Sequence, residues 1–414
     1  MSDDLLALTI QSSRESIAAF DGEQLLYLLV NVDPPKKTTV PQLPLNLSLI
    51  VDCSTSMKGD RLGNVKNAAE MIVERIGPDD KISVIAFSDR ARVVRPASPV
   101  KSKATLISQI NGIRAFGGTE IFQGLEAGYK EIRKSPLDTF NSHMILLTDG
   151  HTYGDTKDCL QLARDAAVQG IDISAFGIGD DWNEEFLDKL VALSGSQSIY
   201  IEKPSQVMGY LQDKIRGLGV VFASSFRLLH DFPSGVELLS VFKIAPYAQQ
   251  FIPDGLDMRL GSVEIDSPLT LLFEFQVDIQ NSEESFHLPL KFLSDIPSKH
   301  IKDYPIDYEL EIPVAEEFDP IDPPYQLAEA VRALNLYRMN ERIWQDIEEG
   351  DIPVATRRLQ QFNTRLLEAG HSDLAEQVEL ETERLRSMGA MSESARKRLK
   401  YGTRTLITQT IRLE

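Results

Sequence analysis

"LNLSLIVDCSTSM", residues 45–57, is an apolar run that ends in a carboxylate, Asp52, and then places Ser54, Thr55 and Ser56 within four positions. A near-continuous apolar run of this length reads as a strand covered on both faces, the usual state of a strand in a parallel sheet. A charge at the end of such a strand is costly unless it is paired or bound to a cation. The stretch therefore sets a fold and a chemical demand together.

From about residue 45 to residue 203 the β-rich runs "LNLSLIVD", "KISVIAFS", "HMILLTDG", "IDISAFGIG" and "SIYIEK" are interspersed with helical segments. These are "RLGNVKNAAEMIVERI", "KATLISQING", "IFQGLEAGYKEIRK", "KDCLQLARDAAVQG" and "NEEFLDKLVALSG". In the first of them Leu62, Val65, Ala69, Ile72 and Ile76 recur at three- or four-residue intervals and form one apolar stripe. Strands alternating with helices imply an α/β unit with a largely parallel sheet covered on both faces.

The flanks differ. "LALTIQSS" and "QLLYLLVNVD" before this unit, and "SSFRLLH", "GVELLSVF", "LDMRLGSVEID", "LTLLFEFQVDI", "SFHLPLKFL" and "DYELEIPV" after it, are β-rich runs separated by turn residues. They predict an antiparallel β-sandwich assembled from both sides of an inserted domain; the alternative is an N-terminal arm that extends the central sheet. From Pro323 three helices follow, stopped by Gly350, Gly370 and Gly389. The second and third resemble a tetratricopeptide-like hairpin, but a solenoid needs about three such repeats, so a helical bundle packed on the β unit is expected. The closing "SARKRLKYGTRTLITQTIRLE" is basic in an acidic chain and predicts a dock on an acidic face of the same molecule. The expected domains are 1–42 (N-terminal strands of the sandwich), 43–212 (α/β), 213–318 (β-sandwich) and 319–414 (helical region).

Across 414 residues the net charge is −19, with 42% hydrophobic and 25% charged residues. This is a globular composition with an ample core, and the acidity argues against a nucleic-acid partner, which requires clustered Lys and Arg. "MSDDLLALTIQSS" is acidic where a signal peptide is basic, and no apolar run reaches bilayer length, so a cytoplasmic protein without a membrane partner is expected. The two cysteines, Cys53 and Cys159, form no paired metal pattern and read as buried thiols.

In a parallel α/β sheet, ligands sit beyond the carboxyl ends of the strands. Asp52 ends one strand there, Asp149 of "LLTDG" ends another, and Thr119 of "GGTE" lies just before a helix. Asp52, Ser54, Ser56, Thr119 and Asp149 are then five hard oxygen donors with no His or Cys among them. That set suits Mg²⁺, or Mn²⁺ or Ca²⁺, rather than zinc. Thr55 is expected to face a backbone group and Glu120 to open a helix. His151 reads as a solvated loop residue, and Asp155, Asp180 and Asp181 as surface acids rather than a second cation site.

"DCSTS", Thr119 in "GGTE", Asp149 in "LLTDG" and the following "AFGIGDDWNEEFLDKLVALSG" together resemble the von Willebrand factor A domain and its metal-ion-dependent adhesion site, whose pattern is D-x-S-x-S with a distant Thr and a distant Asp. The resemblance covers residues 45 to 210 and implies a doubly wound Rossmann-like domain whose metal binds a partner's carboxylate. The β-rich flanks and trailing helices look like intracellular bacterial proteins of that family. They are also similar to vesicle-coat subunits, although the chain has no zinc motif to support a coat function. The expected function is a non-enzymatic, metal-dependent protein-binding module that takes an Asp or Glu from its partner, with loops 57–60, 89–92, 117–123 and 151–156 setting specificity. The alternatives are a metal-dependent hydrolase or phosphatase using the same cation, or a scaffold that the metal only stabilises. The usual dinucleotide, phosphate-loop and G-x-S-x-G motifs are absent from the sequence.

Overall fold

The computed structural model describes residues 5–19, 22–35, 43–152, 154–218, 221–251, 257–265, 267–279, 284–315 and 322–412. The N-terminal flank supplies β1 (Ala7–Ser12), β2 (Ile17–Ala18) and β3 (Glu23–Asp33). The α/β unit runs β4 (Leu45–Asp52), α1 (Asp60–Arg75), β5 (Lys81–Phe87), β6 (Ala91–Pro99), α2 (Lys103–Asn111), α3 (Ile121–Ile132), β7 (Asn141–Thr148), α4 (Thr156–Val168), β8 (Asp172–Ile178), α5 (Glu184–Ala192), β9 (Ser198–Ile201) and α6 (Val207–Leu218). The chain then forms β10 (Val221–Leu229), β11 (Val236–Ala245), β12 (Gln249–Phe251), β13 (Asp257–Glu264), β14 (Leu269–Asp278), β15 (Ser285–Ile296) and β16 (Ile301–Ala315). It closes with α7 (Tyr325–Glu348), α8 (Ile352–Glu368), α9 (Ser372–Met388) and α10 (Glu393–Arg412).

The central sheet has the order β6-β5-β4-β7-β8-β9, parallel except for β6. All eight residues of β4 are buried, because alternate side chains enter two different cores. Leu47, Leu49 and Val51 pack with apolar residues of α1, α2 and α6. Ile50 packs on the opposite face with Ile121 and Leu125 of α3. That second helix lies unusually close to the sheet. A Cβ on Gly124 would come within 2.6 Å of Phe87, and one on Gly128 within 2.6 Å of Ile50. Two elements of the α/β unit were not anticipated. The edge strand β6 carries charges and two prolines on an exposed pattern, which hides its period, and α6 crosses the division expected at residue 212. The division expected at 318/319 falls among residues outside the described set.

The flanks form two facing sheets, β1-β3-β14-β11-β12 and β13-β10-β15-β16-β2. β3 pairs antiparallel with β14 from Glu23↔Asp278 to Val32↔Leu269, so the N-terminal segment belongs to the sandwich and does not extend the central sheet. Pairing is antiparallel throughout except for the short β2, which runs parallel to the end of β16. β15 alternates strictly between buried and less buried residues, as expected of a strand with one face in the core. β14 is buried on both sides because its outer face lies under α7, where Leu29, Phe242 and Leu272 meet Leu327, Leu334 and Tyr337.

The C-terminal region has four helices, one more than the three glycine stops mark, because the basic tail is itself the helix α10. It docks on acidic residues of the α/β unit, as its charge leads one to expect. Arg404 makes a two-pronged pair with Asp188, Nη1 to Oδ1 at 2.9 Å and Nη2 to Oδ2 at 2.6 Å, and Lys400 Nζ adds a third contact at 3.0 Å. Arg396 reaches Glu184 at 2.7 Å, Arg398 reaches Glu202 at 2.9 Å, and Lys397 donates to the carbonyl of Asp180 at 2.6 Å. Among the described residues no helix is long and apolar enough to cross a membrane. Cys53 and Cys159 are free, buried thiols whose pKa values are raised by that burial.

Burial alone would raise the pKa of Asp188, but Arg404 and Lys400 outweigh it and hold the carboxyl well below the ordinary range. Its contribution to stability is therefore full above about pH 4, the unfolded value, and is lost only as the pH falls through the depressed one. Asp188→Asn leaves two buried cations without their partner and is expected to cost about 3–5 kcal/mol by urea denaturation at pH 7; a loss under about 1 kcal/mol would show that the dock does not rest on this pair.

Candidate metal centre

The order of strands reverses at β4 and β7. From β4 the chain builds outward to β5 and β6 on one side, and from β7 to β8 and β9 on the other. The crevice at such a switch point is where α/β sheets bind ligands. Asp52 ends β4, and Asp149 directly follows β7.

Four of the five expected donors form one hydrogen-bonded string. Ser54 Oγ lies 3.0 Å from Ser56 Oγ, and Ser56 Oγ donates to Asp149 Oδ1 at 2.7 Å. Asp52 Oδ1 accepts from the Ser54 backbone N–H at 2.8 Å, and its Oδ2 accepts from Thr148 Oγ1 at 2.6 Å. Thr119 comes from a different loop and lies against Gly150, where an added Cβ would sit 3.2 Å from Thr119 Oγ1. That loop is stitched to the first one, as Phe116 N donates to Cys53 O at 2.8 Å and Thr55 N and Oγ1 both donate to Gly117 O at 3.0 and 2.9 Å. Gly118 N in turn donates to Asp89 Oδ1 at 2.8 Å, and Glu120 N to Ser88 O at 2.9 Å. Gly117 has φ +77°, and a Cβ there would come within 2.5 Å of Asp89 Oδ2.

Asp52 and Asp149 are both fully buried. Burial pushes the Asp52 carboxyl up to about 6, against the opposing effect of the Thr148 and Ser54 hydrogen bonds, and the neighbouring Asp149 raises it further. Two buried carboxylates side by side favour a cation. Thr119 is itself buried, with 6% of the residue exposed. A desolvated carboxylate and an all-oxygen donor set fit a hard divalent ion. No cluster of three or more His, Cys, Asp and Glu side chains suited to a metal gathers among the described residues; the other expected donors beside the two acids are hydroxyls.

The other acids have separate tasks. Asp155 accepts from Phe122 N at 2.8 Å and from Thr152, capping α3 from the loop after β7. Asp180 accepts from Tyr200 OH at 2.6 Å, and Asp181 faces Arg61 at 3.5 Å. His151 is exposed on its loop; Tyr153, within the specificity loop expected at 151–156, lies outside the described residues. Thr148 and Arg61 were missed. Thr148 is the hydroxyl that fixes Asp52, and Arg61 Nη1 donates to Asp149 Oδ2 at 2.6 Å. A readable signal existed for Arg61, since a cation in the first turn of a helix opposes the helix dipole and needs an acidic partner.

Residues 46–214 match the von Willebrand factor type A domain, and residues 325–409 match the family described as the Sll0103-like, C-terminal alpha-helical domain. The chain therefore contains both. An uncharacterized protein of Synechocystis sp., sll0103, is 29% identical over 88% of this chain and 89% of its own length. The structure described as von Willebrand factor type A from Catenulispora acidiphila superposes with a TM-score of 0.75 at 18% identity, covering 98% of both chains. That of the ArnB paralog VWA2 from Sulfolobus acidocaldarius gives 0.65 at 18% identity, covering 97% of this chain and 98% of that one. At these identities the two structures establish the shared fold.

Gly117→Ala would force an L side chain into left-handed backbone and push against Asp89. A loss of about 1–2 kcal/mol is expected from the backbone alone, measured by urea denaturation; an unchanged midpoint would mean that the 117–119 turn can relax without Gly117.

Proposed function

We propose that the von Willebrand factor type A domain of this chain holds a divalent cation, Mg²⁺ before Mn²⁺ or Ca²⁺, on Asp52, Ser54, Ser56, Thr119 and Asp149. Through that ion it binds an Asp or Glu side chain of a protein partner. The observation that carries this reading is the fully buried Asp52 carboxylate at the end of β4, linked through the Ser54 backbone N–H and the Ser54 and Ser56 hydroxyls to a second buried carboxylate. When bound, the ion would offset the charge of the two acids and offer an open position to an oxygen from outside.

The chain's own residues arrange the rest. Thr148 and the Ser54 N–H orient Asp52, and Met57, fully buried, anchors the loop that carries the serines. Small hydroxyl donors keep the rim shallow, so a partner side chain can reach it. Phe116, 59% exposed beside the Thr119 loop, and the exposed Lys58, Arg90 and Arg92 line the approach. A partner carboxylate approaching a chain of net charge −19 meets screened repulsion beyond about 8–10 Å, so recognition is concentrated at the ion and these rim cations. Recognition is favoured over hydrolysis because a hydrolytic metal site needs a general base or nucleophile within reach. The candidate base in the sequence, His151, is exposed on its loop.

Mg²⁺ is expected to raise the melting temperature of the full chain in a saturable, EDTA-reversible way. The gain amounts to about 2.7 kcal/mol at a hundredfold excess over Kd. Asp52→Asn should fold and lose that response together with metal-dependent capture of its partner; an undiminished Mg²⁺ response in Asp52→Asn would overturn the assignment. His151→Ala should keep the response, with no turnover of phosphate or ester substrates by either form. A hydrolytic rate that disappears in His151→Ala would replace the binding reading with the hydrolase.

A further inference from the structure

Asp149 has both oxygens engaged within the chain, Oδ1 by Ser56 and Oδ2 by Arg61. Arg61 is the second residue of α1, where a positive charge is disfavoured by the helix dipole. Two carboxylates compensate it, on opposite sides. Asp149 is fully buried in the candidate metal centre, while Asp181, 3.5 Å from Nη2, is 74% exposed and outside it. The guanidinium passes over Gly179, where a Cβ would lie 3.2 Å from Nη2. The arginine side chain is itself 30% exposed and reaches both acids at once, Nη1 on Asp149 and Nη2 beside Asp181.

The loop that carries Asp181 is firmly held. Trp182 is fully buried and donates from Nε1 to Gly179 O at 2.7 Å, Asp180 accepts from Tyr200 OH at 2.6 Å, and Lys397 of α10 donates to the Asp180 carbonyl at 2.6 Å. The loop on either side of Asp181 is thus held, and its exposed carboxylate stands as a second station for the guanidinium.

We propose that Arg61 is a tethered competitor for the divalent ion: it occupies Asp149, and the ion is held only as the guanidinium transfers to Asp181. This rests on the metal-site reading given above. A guanidinium and a dication on one carboxylate repel each other, and the repulsion is strong where the carboxylate is shielded from water. Transfer to Asp181 removes Arg61 from Asp149 without leaving it unpaired. The device lowers ion affinity and sets the concentration at which the site fills.

The test is Mg²⁺ titration calorimetry on the full chain at constant ionic strength, with melting curves in EDTA to verify folding of each variant. Arg61→Gln is expected to bind Mg²⁺ at least about tenfold more tightly than the wild type, the scale of one lost charge-assisted hydrogen bond. Asp181→Asn removes the second station and is expected to bind several-fold more weakly than the wild type. Arg61→Gln binding equally or more weakly than the wild type would overturn the competitor while leaving the metal site standing. Absence of Mg²⁺ binding in both the folded wild type and folded Arg61→Gln would overturn the metal site itself, and the competitor with it.

Discussion

Asp52 is fully buried at the carboxyl end of a strand whose every residue is buried, and both of its oxygens accept hydrogen bonds from within the chain. That arrangement requires β7 to lie beside β4, since Thr148 is its last residue. It requires the loop after β4 to turn back so that the Ser54 N–H can reach the carboxylate. The returning loop places its hydroxyls against Asp149, and its backbone takes up the 116–119 segment through Cys53 and Thr55. One desolvated charge thereby fixes three loops that are distant in sequence. A neutral residue at this position would remove the reason for their convergence, though not the packing of the sheet beneath them.

The parts of this architecture that were readable from sequence are those with a strong period or a strong chemical type. The apolar runs of β4, β5, β7 and β8 and the stripe of Leu62, Val65, Ala69 and Ile72 in α1 have one interpretation each. The residues gathered at the sheet rim were legible because small hydroxyls and a carboxylate are poor choices for the end of a buried strand unless something uses them. β6 was not legible because an edge strand carrying Arg92, Arg95, Pro96 and Pro99 has no alternation to read. α6 was missed for a different reason. Gly209 and Gly217 lower its intrinsic helix propensity, and tertiary packing of Val207, Leu211 and Ile215 against the α1 layer makes up the difference. Contacts such as Thr148 with Asp52 depend on register between neighbouring strands, which a single strand's pattern does not contain.

The same distinction applies to the three structural parts. The pairing of β3 with β14 joins residues about 250 positions apart, and the alternation at the start of β3 limits the register because a one-residue slip would turn its buried face outward. The C-terminal helices are joined to the rest by different means. α7 covers β14 with apolar side chains and with Arg338, which donates to Glu274 Oε1 at 2.8 Å. α10 meets the α/β unit chiefly through cations on acids. A basic helix on an acidic chain finds its face by charge, but the two-pronged geometry of Arg404 on Asp188 gives the contact its orientation.

α10 and the rim of the sheet share one short loop. Gly179 to Asn183 follows β8, carries Asp180 and Asp181, and leads into α5, whose first turn holds Glu184. On one side Lys397 and Arg396 grip the Asp180 carbonyl and Glu184. On the other, Asp181 faces Arg61, and Arg61 faces Asp149. Between them Trp182 fills the space against Gly177, where a Cβ would collide with the indole at 2.0 Å. The C-terminal helix and the candidate metal centre therefore adjoin the same short turn from two sides, the helix through Lys397 and Arg396 and the centre through Arg61.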